Sequence, residues 1–471
     1  MISSSAVTTL LVLSVVLFTG IGIVYSKGLI RSSDDFFTAR NSAGVGFLST
    51  TFMASFLGVF ILFTPPEAGS IGGISAVVFY ALGLGSLYLA FILLGPRVKK
   101  FLPQGSTLND YVKKRYGKKM FFLTVSISLF YMFVHLIAEL TAIALVAREI
   151  AGIPMLFTAL MVGISALIYT SYGGLRASMF TDTIQMILVI LLLGVTGFGI
   201  FQYVGSPAEM IKRTQEMTPH LMDFGNRGGI EFGLTLMIAV LVANLFHQGY
   251  WQRIYAGKDD SSLRKALIIS LVLAVPIMLF TGFLGIVSSG LGYSAHPSVA
   301  MFSMIYTTFP TALIVFIFIL ALVLVMSTVD TLLNALVTSF SIDLYGSNAV
   351  GAIKENLRWV KWIGLIIIVP SAWIASKGFS VLYLFLLADL LCAGLVFPLF
   401  YGLFQPKLTE RTATVASVLG IASGVPFFLG GQLLISFVTP IAVSVLAVFV
   451  GIYSPEIKHR WLQLQTFRIK G

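Results

Sequence analysis

Apolar residues run through this chain in long blocks separated by short polar stretches, and they do not alternate with polar residues at strand or surface-helix spacing. An α-helix rises about 1.5 Å per residue, so about 20 apolar residues cross the hydrocarbon core of a bilayer. Thirteen blocks meet that length, at about 6–26, 44–64, 73–96, 121–147, 153–171, 179–203, 232–250, 264–290, 308–340, 358–376, 380–403, 412–428 and 431–453. A backbone in lipid must satisfy its own polar groups, so the pattern predicts an all-α polytopic membrane protein with about 13 transmembrane helices. GVPFFLGG at 424–431 reads either as the turn between the last two spans or as a kink in one longer helix.

Composition agrees with the pattern: 57% of residues are hydrophobic and 10% charged, against roughly 25% charged in soluble domains. The net charge of +11 would suit nucleic acid, but its placement argues otherwise. With the N-terminus outside and the C-terminus cytoplasmic, 25 of the 30 lysines and arginines fall in cytoplasmic loops, as the positive-inside rule requires. The basic excess is therefore topological, and the expected partners are the lipid bilayer of the plasma (cytoplasmic) membrane and a small-molecule solute, with no nucleic acid. MISSS lacks the positive charge of a cleavable signal, so the first block is expected to be a retained span. Cys392 lies in an apolar block, which leaves no disulfide framework or thiolate metal cluster. The sequence has no P-loop, paired CxxC or HExxH, and the acids and histidines form no enzyme-like constellation. The chain reads as a single integral domain, 1–471. Its longest outside loop, 204–231, carries a surface helix in PAEMIKRTQEM, and the tail is expected to be too short for a soluble module. Nothing marks an obligatory protein partner.

VMSTVDTLLNA, 325–335, interrupts one of the oiliest blocks. On a helix, Ser327, Asp330, Thr331 and Asn334 fall within an arc of roughly 100°, with Thr328 at its margin. That face either bonds across to neighbouring helices or lines a site. Asp330 favours a site, because an intramembrane carboxylate is functional by default. Glu139, Asp182 and Asp389 also lie at membrane depth or near its edge, Asp182 as a helix cap or an ionic group. His135 and Glu139, four apart, share a helix face as a satisfied pair or as the lining of a polar cavity.

Two spans five helices apart are interrupted: the second by Gly58 and Pro65–Pro66, the seventh by Gly249 within LFHQGYWQR. Such pairs mark transporters built from inverted repeats with discontinuous helices. Unwound carbonyls suit a small hard cation such as Na⁺, and the hydroxyls of 327–331 would complete its shell.

Three stretches resemble the sodium/solute symporters: YTSYGGLRASMFTDTIQ (169–185), YWQRIYAGKD (250–259) and MSTVDTLLNALVTSFSIDLY (326–345). The resemblance implies a leucine-transporter-like fold of five plus five inverted core helices, 44–203 and 232–403. One extra helix precedes them at 6–26, and two peripheral helices follow at 412–453. It implies Na⁺-coupled symport by alternating access, with Na⁺ held by the carbonyls of Ala54, Leu57 and Leu324 and the hydroxyls of Ser327 and Thr328. Asp182, Asp330 and Thr331 fall at a second cation site of some members. Asp330 replaces the more usual serine there, which would strengthen that site, create a proton site or contact a cationic substrate group. Phe56, Phe60, Tyr80, His135, Glu139, Asn244, His247 and Gln248 would line the substrate region. Phe56 and Tyr80 fall where sugar-transporting members place polar groups. With no arginine at membrane depth near the fourth span, the acids point to a zwitterionic or cationic nitrogen-bearing solute such as an amino acid. A sugar or carboxylate substrate, proton coupling, and a transporter-like receptor without flux are the alternatives.

Overall fold

The computed structural model describes residues 4–26, 37–293, 297–344 and 353–468. Among the described residues nine helices are long and apolar enough to cross a membrane, and four shorter apolar helices accompany them. The principal helices are α1 (Ser4–Ser26), α2 (Val45–Phe56), α3 (Phe60–Phe101), α4 (Leu108–Arg115), α5 (Lys118–Ala151) and α6 (Met155–Tyr203). There follow α7 (Pro207–Met217), α8 (Arg227–Ala243), α9 (Gln248–Ala256), α10 (Asp260–Gly290), α11 (Ala300–Thr308) and α12 (Thr311–Thr338). The chain closes with α13 (Ile353–Ala375), α14 (Val381–Tyr401), α15 (Glu410–Leu429) and α16 (Leu433–Arg468).

Two loops expected between spans are sharp bends inside α3 and α6. Gly73 (φ 65°, ψ −155°) and Gly174 (φ 52°, ψ −148°) turn the chain there. Only a residue without Cβ reaches that conformation cheaply, so one glycine replaces a polar loop. Residues 424–429 complete α15 and the chain turns at Gly430–Gly431, where Gly431 takes φ 74°, so that α16 packs back on α15. PAEMIKRTQEM forms α7, whose start is capped by Ser206 Oγ accepting from Glu209 N–H at 3.3 Å.

Helix α3 lies against α8 and α10, while α12 packs on α5 and α6 and also touches α2 and α9. Every residue of α12 from Leu320 to Thr338 is buried, so its polar face meets protein and not lipid. The Tyr345 end of the third motif lies outside the described residues.

Candidate cation site and solute cavity

The second span breaks where its sequence suggests. Helix α2 ends at Phe56, the Leu57 N–H still reaches Met53 O at 2.8 Å, and helical structure resumes at Phe60. The Val59 N–H finds no carbonyl one turn back and donates instead to Glu139 Oε2 at 3.1 Å. The seventh span breaks as well. After α8 a 3₁₀ turn covers Asn244–Phe246, His247 is extended (φ −74°, ψ 105°), and its Nδ1 accepts the Gly249 N–H at 3.1 Å to start α9. Tyr250 joins the two breaks. Its hydroxyl donates to Ser55 O at 3.1 Å, and its ring lies 4.0 Å from that of Phe56 and 4.1 Å from that of His247.

The hydroxyl face of α12 meets the first break and α6. Ser327 Oγ donates to Asp182 Oδ1 at 2.6 Å, and Thr328 Oγ1 lies 2.7 Å from Leu324 O and 3.0 Å from Glu139 Oε2. Carbonyls at a helix break beside two hydroxyls are a donor set for a hard monovalent cation. Among the described residues no three His, Cys, Asp or Glu side chains gather as a metal cluster.

Asp182 has a partner in Arg253, which lies three residues beyond the expected seventh span, 232–250. Arg253 and Asp182 are both fully buried, with Nη2 2.6 Å from Oδ2. The guanidinium also donates to Thr331 Oγ1 (2.8 Å), Thr51 Oγ1 (2.8 Å) and Gly249 O (3.0 Å). Thr331 Oγ1 lies 3.3 Å from Asp330 Oδ1, which also accepts from Ser178 Oγ at 2.9 Å, while Thr181 Oγ1 lies 3.3 Å from Oδ2. The three residues expected at a second cation site thus converge on one network, and an arginine side chain holds its centre. A buried carboxylate needs a counter-charge, and Arg253 borders the interrupted seventh span, which was the available clue.

Phe56, Phe60, Tyr80, His135 and Asn244 meet around a small cavity of about 40 Å³ beside the first break, closed by Leu84, Val240, Met278, Phe385 and Asp389. His135 Nε2 and Asp389 Oδ1 stand 3.7 Å apart. Both atoms are buried without a hydrogen-bond partner among the described residues. Glu139, His247 and Gln248 are not in the cavity wall. Glu139 caps the break and His247 caps α9, while Gln248 turns toward the Lys/Arg-rich end of the bundle.

Residues 36–420 match the profile of the sodium:solute symporter family. The chain belongs to that family. The spermidine transporter of Candida albicans is 27% identical to it over 377 residues, 79% of this chain and 70% of the relative. The sodium/glucose cotransporter of Vibrio parahaemolyticus is 24% identical over 462 residues, 88% of this chain and 83% of the relative. The fold resembles that of a Na⁺-coupled sialic acid symporter solved outward-open with substrate, at a TM-score of 0.74, 18% identity and coverage of 95% and 97% of the two chains. This symporter-family chain is thus a multi-pass membrane transporter of the leucine-transporter-like fold, and its relatives carry solutes as different as a sugar and a polyamine.

Gln248 serves a latch at the Lys/Arg-rich end of this symporter-family protein. Its Oε1 accepts the Leu108 N–H at 2.8 Å, and its Nε2 lies 3.2 Å from Ser128 Oγ and 3.3 Å from Asn109 Oδ1. Asp343, in the π-helical turn beyond α12, accepts from Asn109 Nδ2 at 2.6 Å and Thr107 Oγ1 at 3.0 Å. Helix α4 is thereby tied to the ends of α9 and α12. Burial, with the Asp110 carboxylate nearby, pushes Asp343 up from 3.8 to about 7 against the lowering effect of its hydrogen bonds. An acid with a higher pKa in the closed form holds its proton more tightly there. Its contribution is full below about 4 and fades as pH rises to about 7. Hydrogen exchange at the amides of 107–112, corrected for intrinsic rates, should therefore speed up between pH 5 and 8. Asp343→Asn should remove that pH dependence, and a protected, pH-independent segment in the parent would refute the latch.

Proposed function

We propose that this chain carries a small organic solute bearing a cationic nitrogen into the cell together with Na⁺, by alternating access between two inverted repeats, 44–203 and 232–403. The observation that carries the solute class is the His135–Asp389 pair. Two buried polar atoms without hydrogen bonds face one another in a cavity walled by Phe56, Phe60, Tyr80 and Phe385. Aromatic faces and a carboxylate oxygen that accepts no hydrogen bond together recognise an ammonium group. The wall holds no lysine or arginine to receive a substrate carboxylate, so a plain amine fits it better than an amino acid. The likeness to a spermidine transporter supports the same class.

Family membership supports Na⁺ as the coupling ion. Its proposed ligands are the carbonyls of Ala54, Leu57 and Leu324 and the hydroxyls of Ser327 and Thr328. The proposed orientation, N-terminus outside and C-terminus cytoplasmic, rests on the distribution of lysine and arginine. An inward-moving cation gains about 2.3 kcal/mol per 100 mV of membrane potential in addition to its gradient.

The test is thermal stabilisation of the protein in nanodiscs by Na⁺ with spermidine, choline, neutral sugars or carboxylates, since specific ligands stabilise the folded form by RT ln(1 + [L]/Kd). The amines should stabilise most. Losing a charge-assisted contact costs about 1.5–3 kcal/mol, so Asp389→Asn should weaken amine binding roughly 10- to 100-fold while leaving the response to Na⁺ alone. Stabilisation by sugars or carboxylates only would reject the solute class. In proteoliposomes, amine uptake driven by a proton gradient without Na⁺ would reject the coupling ion, and binding without uptake would indicate a receptor.

A further inference from the structure

We propose that Glu139 is the counter-charge of the Na⁺ site and the group that couples ion occupancy to the hinge between α2 and α3. This rests on the cation site proposed above, and it removes Glu139 from the solute-binding set.

Glu139 is 2% exposed, in the middle of α5. Its Oε2 is shared by the Val59 N–H at 3.1 Å and the Thr328 hydroxyl at 3.0 Å. Its Oε1 stands where a Cβ on residue 58 would come within 2.4 Å. The carboxylate therefore spans the break and touches the two elements proposed to hold the ion. Its neighbours at membrane depth are otherwise engaged. Arg253 is bound to Asp182, His135 stands by Asp389, and among the described residues no basic side chain pairs with Glu139.

Three physical arguments converge on this assignment. First, the five proposed Na⁺ ligands are all neutral oxygens, and a cation in a low-dielectric interior is stabilised strongly by a nearby negative charge. Second, a cation at the break lies between the C-terminus of α2, whose dipole favours it, and the N-terminus of α3, whose dipole opposes it. A carboxylate on the Val59 N–H offsets that opposition. Third, a hydroxyl has one proton and two lone pairs. The Thr328 proton has two acceptors, Leu324 O at 2.7 Å and Glu139 Oε2 at 3.0 Å. An ion held by the Leu324 carbonyl leaves the proton to Glu139 and takes a Thr328 lone pair, so ion binding and the Glu139 link reinforce each other. An arriving cation then draws the start of α3 toward α12, and its departure loosens that contact. Glu139 acts here as a positioning residue, with no contact to the solute.

The test titrates Na⁺ on Glu139→Gln, Glu139→Asp, Ser327→Ala and Thr328→Ala in nanodiscs, reading thermal stabilisation, and separately titrates amine at saturating Na⁺. Glu139→Gln should raise the apparent Kd for Na⁺ about tenfold or more, because 1.4 kcal/mol is one decade. Glu139→Asp, which keeps the charge, should retain more affinity, and amine affinity at saturating Na⁺ should stay within about threefold. If Thr328→Ala and Ser327→Ala weaken Na⁺ binding while Glu139→Gln leaves it unchanged, this proposal fails and the Na⁺ site stands. If Na⁺ binding survives in all four variants, the Na⁺ site itself is misplaced. Loss of amine affinity with Na⁺ affinity kept would make Glu139 a solute contact and overturn the inference. Should the variants not fold, carbodiimide labelling of Glu139 in the unaltered protein decides, read by peptide mass spectrometry in Na⁺ against K⁺. Na⁺ should slow the labelling, and equal rates would refute the assignment.

Discussion

Arg253→Leu should destabilise the protein by about 3–5 kcal/mol, because it leaves the Asp182 carboxylate buried without its counter-charge. Both side chains have no exposure, and the guanidinium also serves Thr51, Thr331 and the Gly249 carbonyl. Reversible unfolding in mixed micelles measures the loss. The double variant Asp182→Asn/Arg253→Leu should recover part of it, since an amide costs less to bury than an unpaired carboxylate. A single variant within about 1 kcal/mol of the parent would show that water or another group reaches Asp182 and that the pair is not isolated. The pair also bears on ion stoichiometry. A side-chain cation already sits against Asp182 and Thr331, so a second Na⁺ there would have to displace it or share Asp182 with it.

Gly58→Ala should be the most damaging small substitution at the proposed ion site. The added Cβ would stand 2.4 Å from Glu139 Oε1, 2.7 Å from Thr328 Cγ2 and 2.8 Å from Thr328 Oγ1. Overpacking of this kind costs about 1–3 kcal/mol, and relief must come from the two groups that flank the ion. Na⁺ affinity should therefore fall roughly 10- to 100-fold, measured by Na⁺-dependent thermal shift. Gly46→Ala, where a Cβ would meet nothing within 4 Å, is the matched control on the same helix. Equal Na⁺ affinity in the two variants would mean that Gly58 does not face the ion.

Much of this site is legible along the chain because a bilayer makes polarity expensive. Gly58 and the polar run around Gly249 mark both interrupted spans, and the structure breaks α2 at Leu57–Val59 and the seventh span at Asn244–His247. The polar face of 327–334 is readable at 100° per residue, and α12 is buried along that stretch. Five of the eight residues expected around the solute line one cavity. The loops expected at 65–72 and 172–178 are tighter than the pattern suggests, each a bend at one glycine, Gly73 or Gly174, because a single glycine at positive φ turns the chain without a polar stretch.

What the sequence determines by itself is which positions must avoid lipid: block length sets the spans, and each acid within a block must face protein, whereas a Ser or Thr can also bond back to its own helix, as exposed Thr9 does to Ser5 O. What it leaves open is the partner each of them takes. Asp182 pairs with Arg253, 71 residues away, and Glu139 meets Thr328, 189 residues away, on helices whose contact no local pattern encodes. Gln248 and His247 show the same gap, since their chemistry suits a solute site but their placement makes one a latch and the other a cap. Periodicity reports the angle of a side chain around its own helix axis. The identity of the helix opposite is settled only when the bundle packs, and at this site that choice separates a counter-ion from a solute contact.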